Sequence, residues 1–411
     1  LVGRRTGRRR EWLSILLAEQ TNLLGALENA KHLGQERRVV SMVGALAWFW
    51  LDTGQITEAS RWFHEVQPVL DDASPTQRAR ALGLGSAIAD STGDLSLGAA
   101  YLEEALDAAG EDELLHSDLV VEAFERVGGD KQGSTVHEWR PLQDALSRYR
   151  TGGDTWGEAR ALLFVAERLS FSDPEKAVAV AHRARVAFET IGDEEYAIRC
   201  RLEEARARDG ASLRGVCQEA IAALTRLGSS PYIALFYLGD WHRRRRDNEA
   251  AIRCLTQAFA EAEAANSLFS LITSSGLLSL TERDRGNLTE AINWALLALD
   301  HALQRGSDRL TVWPVEFTAG LLCDIGAPLL GGELIGAAEL HRRQASNPMP
   351  RFDVDQYQAD VAALLQALGP VRYEKLKKRG SQMSIPDAAR RARHALATHD
   401  TTHLDHRPSI R

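Results

Sequence analysis

The stretch 285–299 reads RGNLTEAINWALLAL, and its grammar recurs along the whole chain. A glycine turn leads into Asn287, three variable residues follow, and Ala291 opens an apolar run. Asparagine in front of a helix accepts a hydrogen bond from a free N–H of the first turn, worth about 1 kcal/mol. Gly286 suits the left-handed end of the preceding helix. Beyond the cap, Leu288, Ile292, Ala295, Leu296, Leu299 and Leu303 recur at helical spacing and form one stripe. The small Ala291 lets a paired helix approach closely.

The same sentence appears as TGQITEASRWF (53–63), TGDLSLGAAYLEEAL (92–106), GGDTWGEARALL (152–163), SDPEKAVAVAHRA (172–184), GDEEYAIRCRL (192–202) and RDNEAAIRCLTQAF (246–259). Two interleaved series emerge, one through Asp154, Asp193, Asn266 and Asp308, the other through Asp173, Gly210, Asp247 and Asn287. Each series steps by about 36–42 residues, with two such steps between Asp193 and Asn266, and the two series are offset by roughly half a step. Asp173-Pro174 adds proline at the first helical position, where its missing N–H costs nothing. Glycines at 93, 153 and 192 punctuate like Gly286.

No run of alternating β-branched residues reads as a strand. The fold class expected is all-α: a right-handed α-α superhelix, a tetratricopeptide-like solenoid of about eight helix pairs over residues 36–345, with capping helices at both ends. The domain plan is a basic arm or linker (1–9), the array (10–345, with an entry helix over 10–33), closing helices (346–397) and a disordered tail (398–411). The closing helices are expected near 353–368, 370–379 and 385–397, after a loop NPMPRFDVDQ. The region 111–151 is the least regular, with a longer loop over VGGDKQGSTVHEW.

Composition narrows the function classes. Of 411 residues, 44% are hydrophobic and 26% charged, which fits a folded chain rather than a disordered one. The formal net charge of −8 argues against bulk attraction to nucleic acid or anionic lipid. The longest apolar run, MVGALAWFWL (42–51), is too short to span a bilayer. The opening Leu1-Val2-Gly3 and the basic RRTGRRR (4–10) lack the apolar region of a secretory signal, and read as a linker in a piece cut from a longer polypeptide. Cys200, Cys217, Cys254 and Cys323 form no CxxC pair and no ligand spacing, so a zinc site and a disulfide framework are not expected; a reducing cytoplasm is. Cys200, Cys217 and Cys254 each lie seven residues after a repeat marker, a position read as small, buried and apolar.

Several segments resemble a known family. REWLSILLAEQTNLLGALENA (10–30), with a Glu-x-x-Asn-Leu pattern at Glu19, Asn22 and Leu23, resembles the entry helix of the helical effector region in large bacterial regulators. AWFWLDTGQITEASRWF, GGDTWGEARALLFVAERL and the closing GGELIGAAELHRRQ, YQADVAALLQALGPVRYEKLKKRG and SIPDAARRARHAL are similar to the rest of that region. The resemblance, over nearly the whole chain, is to the C-terminal tetratricopeptide-like region of actinobacterial LuxR-type and antibiotic-regulatory STAND transcriptional regulators. It implies cytoplasmic transcriptional regulation through an ATP-dependent switch. The chain departs from that family in carrying no GxxxxGK[ST] phosphate loop and no LuxR-type DNA-binding segment.

No nucleophile elbow, HExxH or paired-cysteine motif is present, so the chain is read as non-catalytic and without a cofactor. His399, His403, Asp405 and His406 match no closed metal site. Aromatic residues are the better signal: Trp48 within WFW (48–50), and Tyr232, Tyr237 and Trp241 within PYIALFYLGDW (231–241). Most such rings fill layers between helices, but a subset with polar tips can line a binding groove. The groove candidates are Trp48, Tyr232, Tyr237, Trp241 and Arg245. The four arginines 243–246 fall at a helix end just before Asp247, where cations complement the helix dipole. Successive residues point about 100° apart, so the four form no flat phosphate-binding face.

The functional expectation is therefore a binding module for a protein partner or a small-molecule effector, acting as the sensor region of a regulator. Direct nucleic-acid binding and membrane insertion are not expected, and the oligomeric state stays open, a homo-oligomer included. A free-standing scaffold or adaptor is the alternative.

Overall fold

A computed structural model describes residues 9–127, 140–265, 267–344, 349–350 and 352–399. Asn266, residues 128–139, most of residues 1–9 and the C-terminal residues with His403, Asp405 and His406 lie outside the described residues. The fold is an all-α helical repeat, and no strand occurs among the described residues. The entry segment forms α1 (Arg9–Ala18) and α2 (Gln20–His32). Among the described residues sixteen α-helices follow between Glu36 and Gln344, the number that eight pairs require.

Compactness divides the array between Ala207 and Arg208. The first unit pairs α3 (Glu36–Asp52) with α4 (Ile56–Val66), α5 (Pro75–Thr92) with α6 (Leu95–Ala109), α7 (Glu113–Val127) with α8 (Arg140–Thr151), and α9 (Thr155–Leu169) with α10 (Pro174–Ile191). It ends in α11 (Glu194–Arg208), and a 3-10 turn, Gln67–Asp72, follows α4. The second unit opens with α12 (Ser212–Arg226). It then pairs α13 (Tyr232–Arg244) with α14 (Asn248–Ala264), α15 (Leu268–Asp284) with α16 (Leu288–Arg305), and α17 (Asp308–Asp324) with α18 (Pro328–Gln344).

The cap grammar accounts for the helix starts. Asp94, Asp154, Asp173, Asp247 and Asn287 each accept the N–H three residues on. Asp193 does the same for Tyr196 and also takes the indole N–H of Trp156 at 3.1 Å, so one carboxylate caps its own helix and ties it to the preceding repeat. Behind the caps, Ala59, Ala177, Ala251 and Ala291 are fully buried. Gly286 takes φ 80°, as its place before Asn287 requires.

Within each unit the first helices of successive pairs touch: α3 meets α5, α5 meets α7 and α7 meets α9, while α13 meets α15 and α15 meets α17. The second helices make no comparable contacts with one another among the described residues. Elements that crowd together lie on the inside of a curve, so the first helices line the concave side of each unit. This explains why α5, α15 and α17 are buried nearly all round.

Some boundaries differ from expectation. The entry segment is two helices rather than one, because Glu19 leaves helical geometry (φ −91°, ψ 4°) while Asn22 donates to its carboxylate at 2.7 Å. Ser267 and Ser307, in extended backbone, cap α15 and α17. Asp308 has already entered the first turn of its helix, where a carboxylate faces the positive end of the dipole. No side chain caps α12, and Gly210 precedes it as part of the turn. Cys200 and Cys217 are buried as expected, with burial pushing both thiols up; Cys254 is only half-buried.

The closing helices are α19 (Val354–Leu368), α20 (Pro370–Gly380) and α21 (Ile385–Ala397). They cover the end of the second unit's core through Leu364, Tyr373, Ile385, Ala389 and Leu396. Glycine makes this closure possible: a Cβ on Gly380 would fall 1.8 Å from the Glu333 carbonyl, and one on Gly336 2.0 Å from that of Lys377.

Candidate partner-binding faces

Four of the five groove candidates belong to α13 or its C-cap in the second unit, and Trp48 belongs to the first. On α13, Ala234, Leu235 and Leu238 are buried, and Gly239 lets α14 come close enough that a Cβ would fall 2.6 Å from Leu255. The other face is half-buried and repeats at i, i+3, i+4 and i+7: Tyr237, Asp240, Trp241 and Arg244.

Tyr232 stands apart from that stripe. Its ring stacks on Phe236 with centroids 5.9 Å apart and packs against Ala262, Leu268 and Leu271. Its hydroxyl lies 2.8 Å from Thr273 Oγ1 on α15, and burial pushes the phenol up. Tyr232 thus joins α13 to α15 and spends its polar tip in doing so. Trp48 is half-buried against the first unit's core, beside the fully buried Phe49 and Trp50. Tyr237, Trp241 and Arg245 are the candidates that share a neighbourhood: the Arg245 guanidinium lies 4.0 Å over the Trp241 ring. The Trp241 indole N–H is buried and has no hydrogen-bond partner among the described residues.

The arginine run divides its labour. Arg243 is buried, with Nη2 3.3 Å from Asp240 and Nη1 3.8 Å from Asp284 at the end of α15. Arg244 donates to Asp209 at 2.7 Å and to Asp240 at 3.0 Å. Arg243 therefore reaches the end of the next first helix, and Arg244 the turn before α12. Arg283 continues the ladder to Asp324 and, at 2.7 Å, to Asp360 on α19. Arg245 caps α13, and Arg246 takes φ 60° in the slot that Gly286 fills one repeat later.

Phe352 and Asp353, the two residues before α19, lie at this face. Phe352 sits under the Arg244 guanidinium, 5.0 Å from it to the ring centroid. Asp353 occupies the position before α19 yet makes no capping bond. Its carboxyl is pushed up to about 7, by burial first and by Asp240 and Glu316, with Arg243 and Arg342 opposing. Arg342 is itself engaged by Glu316, to which Nη2 donates at 2.6 Å.

In the first unit the corresponding face carries Glu122 and Glu125 on α7, Arg160 and Glu167 on α9, and Arg199, Glu203 and Arg206 on α11. Arg160 is buried and grips Glu125 with two donors, Nε at 2.9 Å, while Nη1 lies 3.4 Å from Glu122. Glu203 accepts from Ser170 and from Arg206. Burial pushes the Glu167 carboxyl up to about 7; Arg199 opposes this, and Glu203 and Glu125 reinforce it.

Open recesses of about 340 and 330 Å³ lie along α9–α10 and α10–α11, and neither contains a predicted site residue. Among the described residues no cluster of His, Cys, Asp and Glu could hold a metal, and no helix is long and apolar enough to cross a membrane. Asp240, Arg243, Arg244, Phe352 and Asp353 are the site residues that sequence reasoning missed. Asp240 and Arg244 carried a signal, an opposite-charge pair at i,i+4; Phe352 carried none. No family model and no curated protein sequence matches this chain.

Proposed function

We propose that this chain is a non-catalytic binding module, the sensor or effector region of a bacterial transcriptional regulator, with its ligand or partner face on α13 of the second unit. The observation that carries the reading is the half-buried stripe Tyr237–Asp240–Trp241–Arg244, which sets aromatic rings and opposite charges side by side on one face of α13. The regulator assignment rests on the resemblance of Glu19, Asn22, Leu23 and the repeat and closing segments to that family's helical region. In such a parent, occupancy of the face would bias the switch by binding one state more tightly than the other.

The arginine ladder weighs against nucleic acid, since Arg243 and Arg244 are already neutralised by Asp209, Asp240 and Asp284. Native mass spectrometry of the purified chain tests the reading. A retained ligand that Trp241→Ala and Tyr237→Ala both release, with helical content unchanged, is expected. Retention unaffected by either change would remove α13 as the site. A salt-dependent shift of duplex DNA by the chain alone would favour a nucleic-acid surface instead.

A further inference from the structure

The second unit's concave face already holds a piece of this chain, and its chemistry describes what else would fit. Arg244 is a fixed platform rather than a free cation. One edge of its guanidinium is held by Asp209 at 2.7 Å and the other by Asp240 at 3.0 Å, so the plane cannot swing away. Its open face is covered by the Phe352 ring. A guanidinium over an aromatic ring is stabilising by electrostatics and dispersion, more so when partly desolvated. Asp353 makes no capping bond to the helix it precedes, and it lies in the field of Asp240 and Glu316, which already have their arginines. A third carboxylate adds negative charge beside those two, and burial together with them pushes it up to about 7. The aromatic subsite is thus well made, while the residue after it is a compromise. That imbalance suits an occupant meant to be displaced.

We propose that the concave face of the second unit binds an extended peptide segment of a protein partner, which lays an aromatic side chain on the Arg244 guanidinium, and that Phe352 is the chain's own tethered occupant of that subsite. Tyr237 and Trp241, on the same stripe of α13 as Arg244, extend the surface along the peptide. A small neutral polar residue after the aromatic fits better than the Asp353 carboxylate. The proposal rests on α13 being the binding face, and it names the partner's chemistry. A tethered competitor lowers apparent affinity by the fraction of time that it occupies the site, so vacating the subsite must strengthen binding.

The probe is a fluorescein-labelled synthetic peptide of residues 349–355, read by anisotropy against the full chain. Phe352→Ala is expected to bind it at least about tenfold more tightly than the unmodified chain, the factor for a competitor seated about nine-tenths of the time. Phe352→Leu, which keeps bulk and loses the ring, should fall between the two. A probe with leucine at the aromatic position should bind the Phe352→Ala chain much more weakly, and Arg244→Lys should weaken its binding of the original probe. A probe with asparagine at position 353 should bind more tightly than the original at pH 8. Equal binding by the unmodified and Phe352→Ala chains, or equal binding of the phenylalanine and leucine probes, overturns the proposal. If no probe binds while native mass spectrometry still finds a ligand lost on Trp241→Ala, the peptide assignment fails and the binding-module reading stands.

Discussion

On the concave side of the first unit, glutamates on α7, α9 and α11 outnumber the arginines set among them, and water reaches several of the carboxylates. On that of the second, arginines near helix ends reach short aspartates one repeat away, and Glu316 faces a single bidentate arginine with 4% of its surface exposed. The difference lies in how far each charge depends on one partner. A glutamate that shares an arginine and keeps a route to solvent can lose the arginine and be rehydrated. A carboxylate sealed with one guanidinium cannot. The first face is therefore tolerant and the second brittle, although both are built on the same repeat.

Removing the cation from each separates the two most strongly. Arg342→Ala leaves Glu316 buried and unpaired, and should cost about 3–5 kcal/mol in the second unit. Arg160→Ala strands Glu122 and Glu125, whose side chains are 23% and 31% exposed, and should cost only about 2 kcal/mol. Urea unfolding followed by hydrogen exchange within each unit checks the ordering. The reverse order would mean that charge sharing, rather than solvent access, decides tolerance.

The fold was legible because it is written locally. A capping residue, a glycine before it and a small residue after it are each fixed by backbone chemistry within one turn. Asp94, Asp247, Asn287 and Gly286 therefore appear where the sequence places them. Caps failed to read where serine did the work, as at Ser267 and Ser307, because a neighbouring Asn or Asp offers the louder signal. The site was less legible. Tyr237 and Trp241 share a face by helix geometry alone, but the end of α13 is organised by Asp209, Asp284 and Phe352, which the chain brings in from outside that helix pair. Nothing local to Arg244 says that a ring more than a hundred residues away will cover it.

Titration gives a finer comparison, because each unit contains a carboxyl pushed up to about 7. Burial raises Glu167 from an ordinary 4.5, and Asp353 from 3.8, to about 7 in each case. A folded-state value above the unfolded one means that the native form binds the extra proton. The stability tied to that proton is full below pH about 4 and is lost as pH rises through 7. Each unit should then weaken between pH 5 and 8, by on the order of 1 kcal/mol once solvent screening is allowed for. Glu167→Gln should flatten that slope in the first unit alone, and Asp353→Asn in the second alone. Local hydrogen exchange across this range reads both, and a slope that survives its own substitution assigns the proton elsewhere.

The smallest effect bears on the arginine run itself. Of its four residues, Arg243 and Arg244 join repeats and Arg245 covers Trp241, which leaves Arg246 in the left-handed slot at φ 60°. One repeat on, that slot belongs to Gly286 at φ 80°. A residue with a Cβ pays about 1–2 kcal/mol to sit there, while glycine pays roughly 0.5–1 kcal/mol in unfolded-state entropy. Arg246→Gly should therefore raise stability by up to about 1 kcal/mol, and Gly286→Arg should lower it by a similar amount. Thermal melting of the two variants measures both signs. If Arg246→Gly destabilises, the fourth arginine makes a contact that the turn needs, and the run acts as one cationic unit. If it stabilises, only the first three arginines have a structural task, and the fourth sits at the turn in spite of its backbone.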